Sequence, residues 1–131
     1  MILIDTSAFL ALLDKNDAFH QRATKEWATL LYEGNSCVTN NYVLLESIAI
    51  IQRRLGVKAV QELSENVLPH IQVDWIDEFK HENDFGSLLS ANRRNLSLVD
   101  ISAFATMRRL GISKVFTFDH HFAEEGFEVL G

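Results

Sequence analysis

Four carboxylates in this 131-residue sequence, Asp5, Glu46, Asp100 and Asp119, stand where an acid is either a local cap or a piece of chemistry. Asp5 ends the apolar run Ile2-Leu3-Ile4 and is followed by two hydroxyls, Thr6 and Ser7. Asp119 comes directly after Val115-Phe116-Thr117-Phe118. Short runs of β-branched and large apolar residues read as buried strands, and open α/β sheets bind ligands outside the carboxyl ends of their strands. Each Asp is therefore either the N-cap of the helix that follows or a member of a site on that edge.

Glu46 is the only charged residue between Val38 and Gln52, amid Tyr42, Val43, Leu44, Leu45, Ile48, Ala49, Ile50 and Ile51. An ionised carboxylate in such company must reach solvent, a partner or a metal, because leaving it unpaired in a core costs several kcal/mol. Asp100 closes Ser97-Leu98-Val99-Asp100, an S-x-x-D capping-box pattern in which it would bond back to the Ser97 amide. That role is compatible with chemistry, since a carboxylate at a helix N-terminus is held by the helix dipole and faces the crevice. Brought to one sheet edge, the four acids would repel one another and raise one another's pKa unless a hard divalent cation lay among them. Oxygen ligands without His or Cys point to Mg²⁺ or Mn²⁺ and not to zinc, and such ions polarise phosphodiesters and activate water.

The elements that must position these acids follow from periodicity and punctuation. A strand over Ile2–Ile4 leads into a short helix, Thr6 to Leu13, and a second helix runs from about Ala18 to Glu33, ended by Gly34-Asn35. Ser36 to Thr39 reads as a strand, with Asn40 or Asn41 capping a helix from Tyr42 to Leu55 that Gly56 closes. Lys58 to Leu68 reads as a helix stopped by Pro69, then Ile71 to Val73 as a strand. Asp77 to Arg94 is amphipathic and helical despite Gly86, and Ser97 starts an apolar helix that runs to Leu110, with Gly111 as its stop. Lys114 to Phe118 is strand, Asp119 to Ala123 a helical turn, and Phe127 to Leu130 a last strand. Strands alternating with helices imply parallel pairing, so the expected fold is an α/β three-layer sandwich with a central sheet of about five strands.

A chain of this length with 47% apolar residues, nine Phe and one Pro is expected to make a single domain over residues 1–131 with its own core. The lone Cys37 and the absence of a basic-then-apolar leader lead to the expectation of a reducing, cytoplasmic location. No apolar run approaches the roughly 20 residues that span a bilayer, so no membrane partner is expected. The formal net charge of −6 argues against passive binding of a polyanion. Handling nucleic acid would require a bound cation or a local basic patch.

The ordered set Ile2-Leu3-Ile4-Asp5-Thr6-Ser7, the Glu46 helix, Leu96-Ser97-Leu98-Val99-Asp100 and Val115-Phe116-Thr117-Phe118-Asp119 followed by Phe122 resembles the PIN-domain family, most closely its VapC-type toxins. The resemblance spans the full length and implies a PIN-like parallel sheet with helices on both sides and RNA cleavage with Mg²⁺ or Mn²⁺. Carried over by position, it makes Asp5, Glu46, Asp100 and Asp119 the catalytic, metal-holding quartet, with Thr6, Ser7 and Thr117 as supporting hydroxyls. It also implies an RNA substrate, a homodimer, and an antitoxin that covers the cleft, with the helical region from Ile48 to Leu68 as docking surface. Arg53-Arg54 and Arg93-Arg94 are candidate RNA contacts. Like Arg108-Arg109, they lie near helix C-termini, where cations stabilise the dipole in any protein. His120-His121 is expected to be exposed loop, since no matching His or Cys cluster accompanies it. Trp27 and the Phe set at helical spacing are expected to be core.

Two other functions compete with a metal-dependent endoribonuclease that cuts phosphodiesters with activated water. One is a PIN-fold module that binds RNA or protein without catalysis, which the presence of all four acids disfavours. The other is aspartyl-phosphate chemistry at Asp5, which would want a second acid where Ser7 stands.

Overall fold

A computed structural model describes all residues from Met1 to Gly131. Five strands, β1 (Ile2–Ile4), β2 (Cys37–Asn40), β3 (Ile71–Asp74), β4 (Lys114–Phe116) and β5 (Glu128–Leu130), form one sheet in the order β3-β2-β1-β4-β5. Every pairing is parallel, with Leu3 opposite Val38 on one side and Val115 on the other. The central strand β1 is buried at all three positions, while the edge strands β3 and β5 are partly exposed. That is why β1 is uniformly apolar while β5 begins with the charged, exposed Glu128.

Seven helices supply the crossovers: α1 (Thr6–Leu13), α2 (His20–Tyr32), α3 (Asn41–Leu55), α4 (Val57–Glu62), α5 (Glu78–Ala91), α6 (Leu98–Leu110) and α7 (His121–Glu124). The chain steps outward from β1 to β2 to β3, then crosses back to β4 and β5, and the right-handed rule for such crossovers sends the two sets of helices to opposite faces. One apolar core joins the layers, with Leu3, Ile4, Phe9, Phe104, Phe116 and Phe122 fully buried. No helix is long and apolar enough to cross a membrane.

Boundaries shift where side chains or proline intervene. The expected helix from Lys58 to Leu68 is instead α4, a π-helical turn Leu63–Val67 and a 3-10 turn Leu68–His70, because Pro69 has no amide and restricts the residue before it. Strand β4 stops at Phe116 and not Phe118, since the Phe118 amide donates to Ser7 Oγ (2.9 Å) and the Asp119 amide to Thr117 Oγ1 (3.0 Å). Asp17 accepts from the Phe19 amide (2.8 Å), which delays α2 to His20. Gly86 sits inside an unbroken α5, which ends at Asn92 with φ 50°, a left-handed C-terminal stop.

Two buried polar links set the helices on the strands. Asn40 caps α3 by accepting from the Val43 amide (2.8 Å), and its Nδ2 donates to Ser102 Oγ (3.2 Å) and Thr106 Oγ1 (3.1 Å) of α6. On α3, Ser47 Oγ donates to the Val43 carbonyl (2.7 Å) and lies 3.2 Å from Thr6 Oγ1 at the start of α1. Helices α1, which follows Asp5, α3, which carries Glu46, and α6, which carries Asp100, are thereby registered to the same sheet edge.

Candidate active site at the carboxyl edge of the sheet

Asp5 follows the central strand and occupies the N-cap position of α1, with extended backbone (φ −99°, ψ 164°) but no side-chain capping bond. The carboxylate turns instead toward the end of β4. Thr117 Oγ1 donates to Asp5 Oδ2 (2.9 Å), and Ser7 Oγ lies 3.2 Å from the same oxygen and 3.0 Å from Thr117 Oγ1. Each hydroxyl has one proton. Thr117 spends its proton on Asp5 and accepts from the Asp119 amide, while Ser7 accepts from the Phe118 amide and gives its proton to one of its two neighbours. The result is a closed knot of side chains and amides around one buried carboxylate.

Asp5 is only 5% exposed, and its pKa is pushed up to about 6. Burial is the main cause, the bonds from Thr117 and the Thr6 amide oppose it, and the carboxylates of Asp100 and Asp119 add to the rise. No cationic side chain is among the groups acting on it.

Asp100 reaches this neighbourhood from the first turn of α6. The capping box is complete: Ser97 Oγ accepts from the Asp100 amide (3.1 Å), and Asp100 Oδ2 accepts from the Ser97 amide (3.0 Å). The cap fixes the side chain at the helix N-terminus and leaves Oδ1 free. Asp119 lies in the loop after β4, its Oδ1 accepting from the His121 amide (3.0 Å). Glu46 is half-buried on α3, beside Ser47. It lines a cleft of about 410 Å³ with Tyr42, Leu45, Ala49, His81, Leu98 and Val99, so it approaches the start of α6 without hydrogen bonding to any group.

The structure thus brings Asp100 and Asp119 within electrostatic reach of Asp5 and sets Glu46 in the cleft beside the start of α6. No three of the four have donor atoms within 4.8 Å of each other; the residues that do are Asp119, His120 and His121. Wider spacing is what mutual repulsion dictates for the acids alone.

The expectation of an exposed His pair is half corrected. The His120 side chain is 75% exposed, but His121 begins α7 with 13% of its side chain exposed, its Nδ1 2.9 Å from Asp119 Oδ1 though not aligned for a hydrogen bond. Apolar Phe122 next to it is fully buried and pulls α7, with His121, inward. Trp27 packs against the core as expected, whereas Phe19, Phe79 and Phe85 are exposed.

The arginine pairs separate. Arg93 pairs with Glu124 at the end of α7 (3.9 Å) and with Glu125 just after it (3.6 Å), and Arg94 beside it has no carboxylate partner. Arg53 and Arg54 also lack one and stand in the last turn of α3, about 11–12 Å along the helix from Glu46 at about 1.5 Å per residue. Arg108 pairs with Glu125 (2.8 Å) and Arg109 with Asp74, so both serve structure. Ser47 and Asn40 were missed as positioning residues. A cap signal marks Asn40, but its second duty as a cross-link to α6 has no local signature.

Comparison with known proteins bears on the fold and the family. The chain is 32% identical over 128 residues to the 23S rRNA-specific endonuclease VapC20 of Mycobacterium tuberculosis, covering 97% of this chain and 95% of the relative. The crystal structure of that M. tuberculosis protein, described as a sarcin-ricin loop cleaving toxin, superposes with a TM-score of 0.85 over 97% of this chain and 96% of its own, at 30% identity. FitAcB from Neisseria gonorrhoeae shares the fold alone, with a TM-score of 0.71 at 18% identity, over 100% of this chain and 97% of its own. The PIN domain profile matches residues 2–128, from the strand that carries Asp5 through the loop that carries Asp119. With that match and the relatedness along nearly its whole length, the chain belongs to the PIN-domain family.

Proposed function

We propose that this protein is a divalent-metal-dependent endoribonuclease, the toxin of a toxin–antitoxin pair. The observation that carries the reading is the buried Asp5, raised to about 6 by burial and by two further carboxylates, with no cationic side chain acting on it. A carboxylate-rich cluster of this kind fits a hard divalent cation. Asp5, Asp100, Asp119 and Glu46 would hold Mg²⁺ or Mn²⁺. When bound, such an ion supplies polarisation of the scissile phosphodiester and acidification of a water.

The chain's own residues do the rest. Thr117 and Ser7 keep the Asp5 carboxylate in one orientation, and the capping box does the same for Asp100. Arg53, Arg54, Arg93 and Arg94 offer positive charge for phosphates on a protein whose net charge is −6. The endonuclease relative named for 23S rRNA makes that RNA the first substrate to test. An antitoxin docks over Ile48 to Leu68, where Leu55 and Val57 are exposed, and the protein works as a homodimer in the cytoplasm over a single domain of residues 1–131.

The test is cleavage of 23S rRNA with added Mg²⁺ or Mn²⁺ by the wild type, Asp5→Asn and Asp100→Asn. Loss of cleavage in both variants, with folding intact by circular dichroism, is expected. Undiminished cleavage in either would sink the assignment.

A further inference from the structure

We propose, resting on the ribonuclease reading, that the cavity between the start of α2 and the loop from β4 to α7 is a subsite for one single-stranded RNA nucleotide flanking the scissile phosphate. This cavity, about 240 Å³, is lined by Thr117, which hydrogen-bonds Asp5, by Asp119, whose charge acts on Asp5, and by Phe19, Arg22, Phe118 and His120. Its position next to the acid cluster places an occupant one nucleotide's reach from the chemistry.

The lining has the two chemistries that a nucleotide presents. Phe19 and Phe118 stack with ring centroids 4.6 Å apart and planes 7° from parallel, and Phe118 covers one face of a Phe19 that is 40% exposed. A large aromatic left this open on a water-facing rim is a stacking platform for a base, since every base has a π-face. Phe118 is also registered to the site, because its amide donates to Ser7 Oγ (2.9 Å), which in turn contacts Asp5.

Arg22 supplies the charge. Its guanidinium carbon stands 5.5 and 5.6 Å from the two ring centroids, and one nitrogen donates to the Gly131 main-chain oxygen (2.6 Å). The side chain is therefore held in place, and no Asp or Glu side chain pairs with it, unlike Lys80, Arg93, Arg108 and Arg109. A planar guanidinium with free donors is suited to a phosphate. The Asp119 end of the cavity belongs to the scissile phosphate and the cation of the ribonuclease reading, so the flanking phosphate goes to Arg22 and the base to Phe19. His120 is drawn toward Asp119 (3.8 Å) and Glu124 (3.6 Å) and is not assigned a contact.

Kinetics on 23S rRNA with Mn²⁺ over a series of salt concentrations test the subsite, using Phe19→Ala, Phe19→Trp, Arg22→Ala and Arg22→Lys. Phe19→Ala should raise KM roughly tenfold with kcat changed less than threefold, and Phe19→Trp should restore KM. Arg22→Ala should raise KM and reduce the slope of log(kcat/KM) against log salt by about 0.7, with Arg22→Lys recovering the slope. A purely structural role would lower Tm and leave the salt slope alone. If the wild type cleaves and KM and salt slope stay unchanged in Phe19→Ala and Arg22→Ala, the subsite is wrong and the ribonuclease reading stands. If the wild type cleaves no RNA with either metal, the ribonuclease reading fails and takes the subsite with it.

Discussion

The hydroxyl of Thr117 donates to Asp5 across 112 positions of sequence while accepting the amide of Asp119, so one side chain ties together two of the acids at the sheet edge. Removing it should act on both. Thr117→Val keeps the shape, deletes the bond that holds the Asp5 pKa down, and leaves the Asp119 amide without its acceptor. The acidic limb of the pH–activity profile should move to higher pH, with activity at pH 7 falling about 2- to 10-fold and recovering at pH 8.5. Thr117→Ser should behave as wild type. A Thr117→Val profile that drops evenly at every pH would separate Thr117 from the ionisation of Asp5.

Asp5 also makes the metal-free protein less stable than it could be. Its folded pKa of about 6 lies above the unfolded value of 3.8, so folding takes up a proton between these values. The stabilising effect of this group is fully present below pH 3.8 and is lost as pH rises through about 6. At pH 7 the ionised form costs up to about 3 kcal/mol. Asp5→Asn should therefore raise Tm at pH 7 in EDTA, by several degrees, and make no such gain at pH 4. Adding Mn²⁺ should raise the Tm of the wild type and not that of the variant. A wild type indifferent to EDTA and Mn²⁺ at pH 7 would count against a cation at this edge.

The elements, and the positions of Asp5, Asp100 and Asp119 at their ends, were legible in the sequence because each leaves a local mark. Ile2-Leu3-Ile4 is too apolar and too short for anything but a central strand, and Ser97 with Asp100 spells a capping box that the structure contains. Side-chain knots leave no such mark. Whether the proton of Thr117 goes to Asp5, or His121 turns inward beside Asp119, depends on packing between strands far apart in sequence. Helix ends near Asp17 and Pro69 moved for a related reason: a single side-chain bond or a missing amide outweighs the periodicity around it.

Asn40 is fully buried and connects the cap of α3 to two hydroxyls of α6. Asn40→Ala strips the Val43 amide of its partner, removes both donors and opens a small cavity. A loss of about 2–4 kcal/mol in urea unfolding is expected, with an unchanged m-value. A loss under 1 kcal/mol would mean that α6 is set on β2 by its apolar contacts alone.

The two halves of the capping box can be pulled apart to ask whether Asp100 acts through its charge. Ser97→Ala removes the acceptor for the Asp100 amide and should cost about 1 kcal/mol. Asp100→Asn retains a side-chain oxygen for the Ser97 amide, so its stability should change by less than about 1 kcal/mol. Activity should rank the other way: Ser97→Ala keeps the carboxylate and loses less than about tenfold, while Asp100→Asn loses at least about a thousandfold. Cleavage rates and urea midpoints measured side by side decide the matter. If activity instead tracks stability across the pair, Asp100 is a helix cap and no more, and the cation site must be built from Asp5, Glu46 and Asp119.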